Sequence, residues 1–153
     1  MTNYIKLKQL REETGVSFSL CKKALEEAKD DISKAKKLLT KWGGQKVKDK
    51  EGKITSQGVI ASYLHHNKKI ASLVELKCET DFVAANEEFL KLASELAMQV
   101  ASVKATTSEE LLKQEYIRDS SKTIETLIKE AVLKFGENVK IGRIIRLELG
   151  LEN

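Results

Sequence analysis

Two histidines, two cysteines and one carboxylate set beside an aromatic ring are the residues of this 153-residue chain that could do chemistry beyond packing. His65 and His66 are adjacent, and neighbours on a strand point to opposite faces, so the pair is not expected to bind one metal ion together. Cys21 and Cys78 stand far apart and form no CxxC pair, which reads as two reduced, buried thiols. Cys78 near Asp81 invites comparison with a thiol nucleophile. No spacing brings a histidine beside it, however, and an apolar strand end raises a thiol's pKa. There is no GxxxxGK(S/T) loop and no GxGxxG turn, so no direct nucleotide binding by either device is expected. No paired carboxylates stand out for acid–base work, and neither a cofactor nor a metal is expected.

What remains is "CETDFVAANEEF", residues 78–89. A polar burst, Glu79-Thr80-Asp81, ends an apolar run, and Phe82-Val83 follows just before a new helix signal. Thr80 or Asp81 can cap a turn that tucks Phe82 and Val83 into a core. The same spacing can also present Asp81 and Phe82 to another molecule. The pattern alone leaves both readings open.

The elements that must position this stretch follow from periodicity. Charged residues at 33% and hydrophobic ones at 41% suit a helix-rich protein with one modest core rather than a disordered chain. No apolar run approaches the ~20 residues of a membrane span, and the N-terminal "MTNYIKLKQLREE" lacks the pattern of a secretory signal, so a cytoplasmic protein without membrane contact is expected. Net charge is +4, from 27 Lys and Arg against 23 Asp and Glu, but aromatics are only 5%. A dedicated nucleic-acid domain usually adds stacking aromatics, so an acidic protein partner fits the balance at least as well and no nucleic-acid partner is expected.

Residues 1–45 read as a three-helix domain. Tyr4, Leu7 and Leu10 recur at helical spacing before Thr14-Gly15. Ser17 can cap a second helix whose stripe is Leu20, Cys21, Ala24, Leu25 and Ala28. Asp30 or Asp31 can cap a third, with Ile32, Ala35, Leu39 and Trp42 inward and Gly43-Gly44 as its stop. Residues 46–57 read as a flexible, lysine-rich linker with some helix at its start. Residues 58–153 read as an α+β domain that also dimerises: a hairpin of strands 59–64 and 70–78 with Asn67 taking the turn conformation, and a helix capped by Asn86 with Phe89, Ala93, Leu96, Ala97 and Val100 inward. A short capped helix or ordered loop follows, then a helix with a serine start carrying Ile124, Leu127, Ile128, Ala131 and Phe135 and stopping at Gly136. A last strand alternates Val139, Ile141, Ile145, Leu147 and Leu149, with Gly142 as a bulge. The fold class expected is α+β, a three-helix bundle followed by a three-stranded antiparallel sheet packed with helices. Three apolar strands leave exposed edges and an uncovered face, which favours a symmetric dimer.

Two runs carry a family resemblance. "LREETGVSFSLCKKALEEA", residues 10–28, resembles the N-terminal signature of elongation factor Ts, and "VELKCETDFVAANEEF" resembles that family's second signature, with its Thr-Asp-Phe-Val core intact. "HHNKKIASLVEL" and "FGENVKIGRIIRLELG" are similar to the family as well, so the likeness runs over nearly the whole chain. The resemblance implies a non-enzymatic guanine-nucleotide exchange factor for elongation factor Tu. The bundle would be the family's ubiquitin-associated-like domain, docking on the GTPase through Leu10, Arg11, Thr14, Gly15, Phe18, Lys22 and Lys23. Thr80, Asp81, Phe82 and Val83 would disturb the partner's Mg²⁺ and phosphate site, with Phe82 wedged into an apolar pocket. Many members carry a methionine pair where this chain has Phe18-Ser19; Phe18 can replace that apolar contact and Ser19 cannot fully. The chain resembles the family's short form, without a second core subdomain or coiled coil, in which two copies pair through their sheets and bind two GTPases. A basic three-helix module for RNA or ubiquitin-like folds is the competing reading.

Overall fold

The computed structural model describes residues 2–151. Three helices come first: α1 (Tyr4–Thr14), α2 (Phe18–Glu27) and α3 (Ile32–Lys50). Asn3 caps α1, its side-chain oxygen accepting from the backbone N–H groups of Ile5 and Lys6, and Gly15 ends that helix at φ 68°, a left-handed conformation that glycine adopts without strain. Ser17 opens α2 without a side-chain hydrogen bond, while Asp31 caps α3 through the N–H of Lys34. Leu7, Leu10, Val16, Cys21, Ala24, Leu25, Ala28, Ala35 and Leu39 form the core, with Leu133 joining them and Trp42 packed against them.

The expected stop at Gly43-Gly44 is overturned, because α3 runs through both glycines to Lys50. Gly43 is buried, and a Cβ there would lie 3.1 Å from the backbone oxygen of Lys129; close approach, not termination, accounts for the missing side chain.

Contacts divide the chain into two units, residues 1–52 with 129–137, and residues 53–128 with 138–153. In the second unit, β1 (Gln57–Leu64), β2 (Ile70–Cys78) and β5 (Lys140–Glu148) form an antiparallel sheet in the order β1-β2-β5. At the hairpin tip Lys68, not Asn67, takes the left-handed conformation at φ 61°, and the Asn67 side chain instead accepts from the N–H of Lys69. Ser72, Val74, Leu76 and Cys78 are buried on the face that packs on α5 (Glu87–Ser102), from which Phe89, Ala93, Leu96, Ala97 and Val100 point inward. Ser72 Oγ donates to the Ala97 carbonyl at 2.5 Å, and Arg146 donates to that of Ala101 through Nε (3.3 Å) and Nη2 (3.2 Å), a cation meeting carbonyls at a helix C-terminus. Gly142 lies in the expected bulge: the register jumps from Val74 opposite Ile144 to Leu76 opposite Ile141, leaving Glu75 to accept from Arg143 N (2.8 Å), Nε (2.9 Å) and Nη2 (3.2 Å).

Between α5 and β5 the chain forms α6 (Ser108–Lys113), a small antiparallel pair β3 (Glu115–Tyr116) and β4 (Asp119–Thr123), and α7 (Ile124–Phe135). Neither a helix nor a loop alone describes residues 105–119, and the expected serine start of α7 gives way to Thr123, whose Oγ1 accepts from Thr126 N. Gln99 supplies the reason for the extra strand pair. Fully buried on α5, its amide donates to Glu115 O and Gln114 Oε1 and accepts from Ile117 N, each at 3.0 Å.

Candidate functional site

Residues 80–83 sit between two capped helix starts. Thr80 is extended (φ −120°, ψ 155°) and its Oγ1 accepts from Val83 N at 3.4 Å, which opens the one-turn helix α4 (Asp81–Ala84). Asn86 N then donates to Val83 O, and Asn86 caps α5 by accepting from Glu88 N at 2.8 Å and Phe89 N at 3.4 Å. Fully buried Phe89 fixes the far end of the segment, and buried Cys78, whose Sγ donates to Thr80 O at 3.2 Å, fixes the near end. The two readings of "TDFV" are thereby separated. Thr80 does cap the turn, but Phe82 is 86% exposed and takes no part in the core. Asp81 is exposed beside it, while Thr80 and Val83 are half-buried.

The base of this turn is held by residues that the sequence did not single out. The Glu79 carboxylate accepts from the backbone N–H of Asn138 at 2.6 Å, and buried Asn138 donates through Nδ2 to Lys53 O at 2.9 Å. A local pattern gives no sign of contacts between residues so distant in the chain. Their effect is to present Phe82 on a braced turn, where an exposed ring forgoes the ~1.5–3 kcal/mol that burial would contribute.

The bundle residues lie in the other unit. Leu10 is wholly buried in its core, so it packs the bundle and offers no surface to a partner. Arg11, Gly15, Lys22 and Lys23 are exposed and Thr14 is half-buried, its Oγ1 donating back to Leu10 O at 2.7 Å. Lys23 holds its ammonium 5.1 Å from the Trp42 ring centroid, and Lys22 pairs with Glu26 at 4.0 Å. Phe18 is exposed and its ring centroid lies 6.5 Å from that of Tyr4, which is exposed with its neighbour Ile5. Tyr4 and Ile5 were missed by sequence reasoning; helical spacing placed Tyr4 with Leu7 and Leu10, whereas only the latter two are buried.

Cys21, His65 and His66 are the remaining residues that could do chemistry. The Cys21 thiol is buried and burial pushes its pKa up. His65 and His66 do not diverge as strand neighbours would; their ring centroids are 4.1 Å apart, because β1 ends at Leu64 and both lie in the turn. Tyr63 Oη and His65 Nδ1 are hydrogen-bonded at 3.0 Å. Among the described residues no group of three or more His, Cys, Asp and Glu could hold a metal ion, and no described helix is long and apolar enough to cross a membrane.

Known proteins decide the family. A family model described as Elongation factor TS matches residues 79–153, starting one residue before Thr80. Elongation factor Ts of Clostridium botulinum (strain ATCC 19397 / Type A) is 41% identical over 143 residues, 94% of this chain and 47% of that protein. The chain belongs to the elongation factor Ts family. Elongation factor Ts of Clostridium kluyveri (strain NBRC 12016) is 43% identical over 141 residues, covering 92% of this chain and 46% of its own length. The chain therefore spans about half the length of the curated relatives it matches. Phe82 on its braced turn and Phe18 on α2 are both exposed aromatic residues of this chain.

Proposed function

We propose that this chain promotes GDP release from elongation factor Tu by inserting the residues 80–83 turn against the partner's Mg²⁺ and phosphate site. The observation that carries the reading is the exposure of Phe82 on a turn braced at both ends. Family membership supports the choice of partner. Phe82 enters an apolar pocket of the GTPase. Mg²⁺ demands near-ideal octahedral geometry, so a small displacement of its ligand shell is costly. Asp81 does not attract phosphate, since like charges repel; it accepts hydrogen bonds from the partner or competes near the cation. Binding the nucleotide-free GTPase better than the loaded form must weaken GDP by the same coupling free energy. On the order of 4 kcal/mol corresponds to a thousandfold loss of GDP affinity, of which burying Phe82 supplies ~1.5–3 kcal/mol. No covalent step is required of this chain.

The bundle docks on the GTPase through Arg11, Thr14, Gly15, Phe18, Lys22 and Lys23, with Leu10 holding α1 in shape. Two copies pair through the open faces of their sheets, in the cytoplasm, each binding one GTPase. The deciding experiment follows fluorescent GDP released from elongation factor Tu with catalytic amounts of this protein. Acceleration with turnover is expected; release at the spontaneous rate would overturn the reading.

A further inference from the structure

The unbroken α3 extends into the stretch that sequence reading assigned to a linker, so Lys46, Lys48 and Lys50 continue the same helix as Lys34, Lys37 and Lys41. That helix carries seven lysines and one acid, Asp49. Residues 1–52 hold 13 Lys and Arg against 8 Asp and Glu, and the rest of the chain 14 against 15, so the positive excess resides in this unit's sequence. At 3.6 residues per turn, Lys34, Lys37, Lys41 and Lys48 fall within ~60° of arc and extend over ~21 Å of helix. The buried residues Ala35, Leu39 and Gly43 lie on another side of the helix. All four lysines are exposed.

The acids near this line are few. Lys34 makes a marginal contact with Asp31 at 3.9 Å, and Gln45, on the same face, donates to Asp49 at 3.2 Å. Lys36, which pairs with Glu13, is on the flank. The exposed positions beside the lysines are Ser33, Thr40 and Gln45; half-buried Gly44 and Leu38 border the line, Leu38 packing against the core, so no fully exposed apolar or aromatic side chain stands among the lysines.

We propose that this stripe docks the phosphate backbone of a structured RNA stem. Cores of protein–protein interfaces are depleted in lysine and rely on apolar anchors, which this face lacks, so an acidic protein is the poorer occupant. Single-stranded bases need stacking rings, which are absent too. A row of unshielded ammonium groups is what backbone contact requires, and it carries no sequence preference. The aromatic-poor composition that counts against base recognition does not bear on this mode. The choice of RNA over other polyanions rests on the translation reading above, whereas the electrostatic argument does not.

The test is anisotropy of a labelled RNA hairpin of arbitrary sequence, titrated with the full chain between low and physiological salt. The logarithm of the association constant should fall against log salt with a slope of about −3, for three or four phosphate contacts. K37Q/K41Q/K48Q should weaken binding at least tenfold at low salt and flatten the slope, with an unchanged circular dichroism spectrum because Gln is a good helix former. K69Q/K91Q/K113Q, exposed lysines of the other unit with the same loss of charge, should bind within twofold of the parent. Equal loss in both triple variants, absence of binding at low salt, or competition by poly-glutamate as effective as by unlabelled RNA would each overturn the proposal. GDP release separates it from the exchange reading. The α3 triple variant should release GDP from elongation factor Tu at the parent's rate; a parallel loss would assign the stripe to the GTPase instead. RNA binding through the stripe by a protein that fails to accelerate GDP release would leave this inference standing and the exchange reading overturned.

Discussion

Phe82 and Phe89 are the same side chain seven residues apart, and the fold treats them oppositely. Phe89 is fully buried under the sheet, and Phe82 is 86% exposed. Phe89→Ala should therefore cost ~3–5 kcal/mol of stability, the range for deleting a buried ring. Phe82→Ala removes no core contact and should change stability by less than ~0.5 kcal/mol. If the ring is buried only in the complex, its loss costs the ~1.5–3 kcal/mol of burial, or roughly ten- to a hundredfold in the catalysed rate of GDP release. Urea denaturation and stopped-flow GDP release, run on the same samples, check both halves. A large stability loss in Phe82→Ala with proportionate loss of rate would make the ring structural. Little of this opposition was legible beforehand. The Asn86 cap and the 89-93-96-97-100 periodicity identified Phe89 as core, because a long amphipathic helix declares its own inner face. A one-turn helix has no such period, and the hydrogen bond that braces the start of the turn joins Glu79 to Asn138, far away in sequence.

At the scale of elements, helices with clear caps and strands with clear alternation matched the structure, and the errors fell where tertiary contacts overrule local preference. Gly43-Gly44 looks like a helix stop, yet Gly43 permits close approach to the Lys129 carbonyl and Gly44 meets nothing within 4 Å. The two positions should respond differently to alanine. Gly44→Ala should raise stability by ~0.5–1 kcal/mol, the helix-propensity difference, as read by thermal unfolding. Gly43→Ala should gain less or lose stability, since a Cβ 3.1 Å from a backbone oxygen forces a shift that opposes the same propensity gain. Equal stabilisation at both sites would mean that Gly43 is not held by packing. β3 and β4 escaped notice for a related reason: "DSSKT" has no strand signature, and its partner strand is held by Gln99, which in sequence is one more polar residue on a helix. The bulge in β5 was legible from Gly142, but not its consequence for Glu75. The hydrogen bonds from Arg143 hold the Glu75 carboxyl down at about 2, well below the ordinary 4.5. A depressed folded-state pKa contributes stability that is present above the unfolded value and lost as pH falls through the folded one. The melting-temperature gap between the parent and Glu75→Gln should thus be full above pH 4.5 and close as pH approaches about 2. A gap independent of pH over that window would show that the pair acts by shape rather than by charge.

For the molecule as a whole, the open face of the sheet raises a problem of solubility and supplies a route to assembly. Leu73 stands opposite Ile145 and Ser62, Ala71 opposite Leu147 and Leu64, and Ile60 opposite Glu75, so Ile60, Leu64, Leu73, Ile145 and Leu147 share one side of three strands. All five are exposed. Alternation in the last strand set Ile145, Leu147 and Leu149 apart as apolar positions, but period two does not say which side of the sheet is covered. The proposed pairing of two copies on this face would cover it with the symmetry expected of a homodimer. The face measures ~14 by 28 Å from strand spacing and rise, or ~400 Å² per copy in projection. That is about half of the ~800 Å² per partner in a standard interface. Ser62 and Glu75 share that side, so at ~25 cal/mol per Å² its apolar part supplies less than ~10 kcal/mol per copy, most of which association entropy offsets. The dimer should accordingly be reversible, dissociating on dilution through the micromolar range in sedimentation experiments. Because the contact is apolar, added sodium sulfate should tighten it, the opposite of the response expected of RNA on α3. Ile145→Lys combined with Leu147→Lys should leave a folded monomer at every concentration, since both side chains are already exposed to water in a single chain. A parent that sediments as a monomer at ~100 µM, well above the expected dissociation range, would overturn sheet-to-sheet pairing and leave the apolar face to another partner.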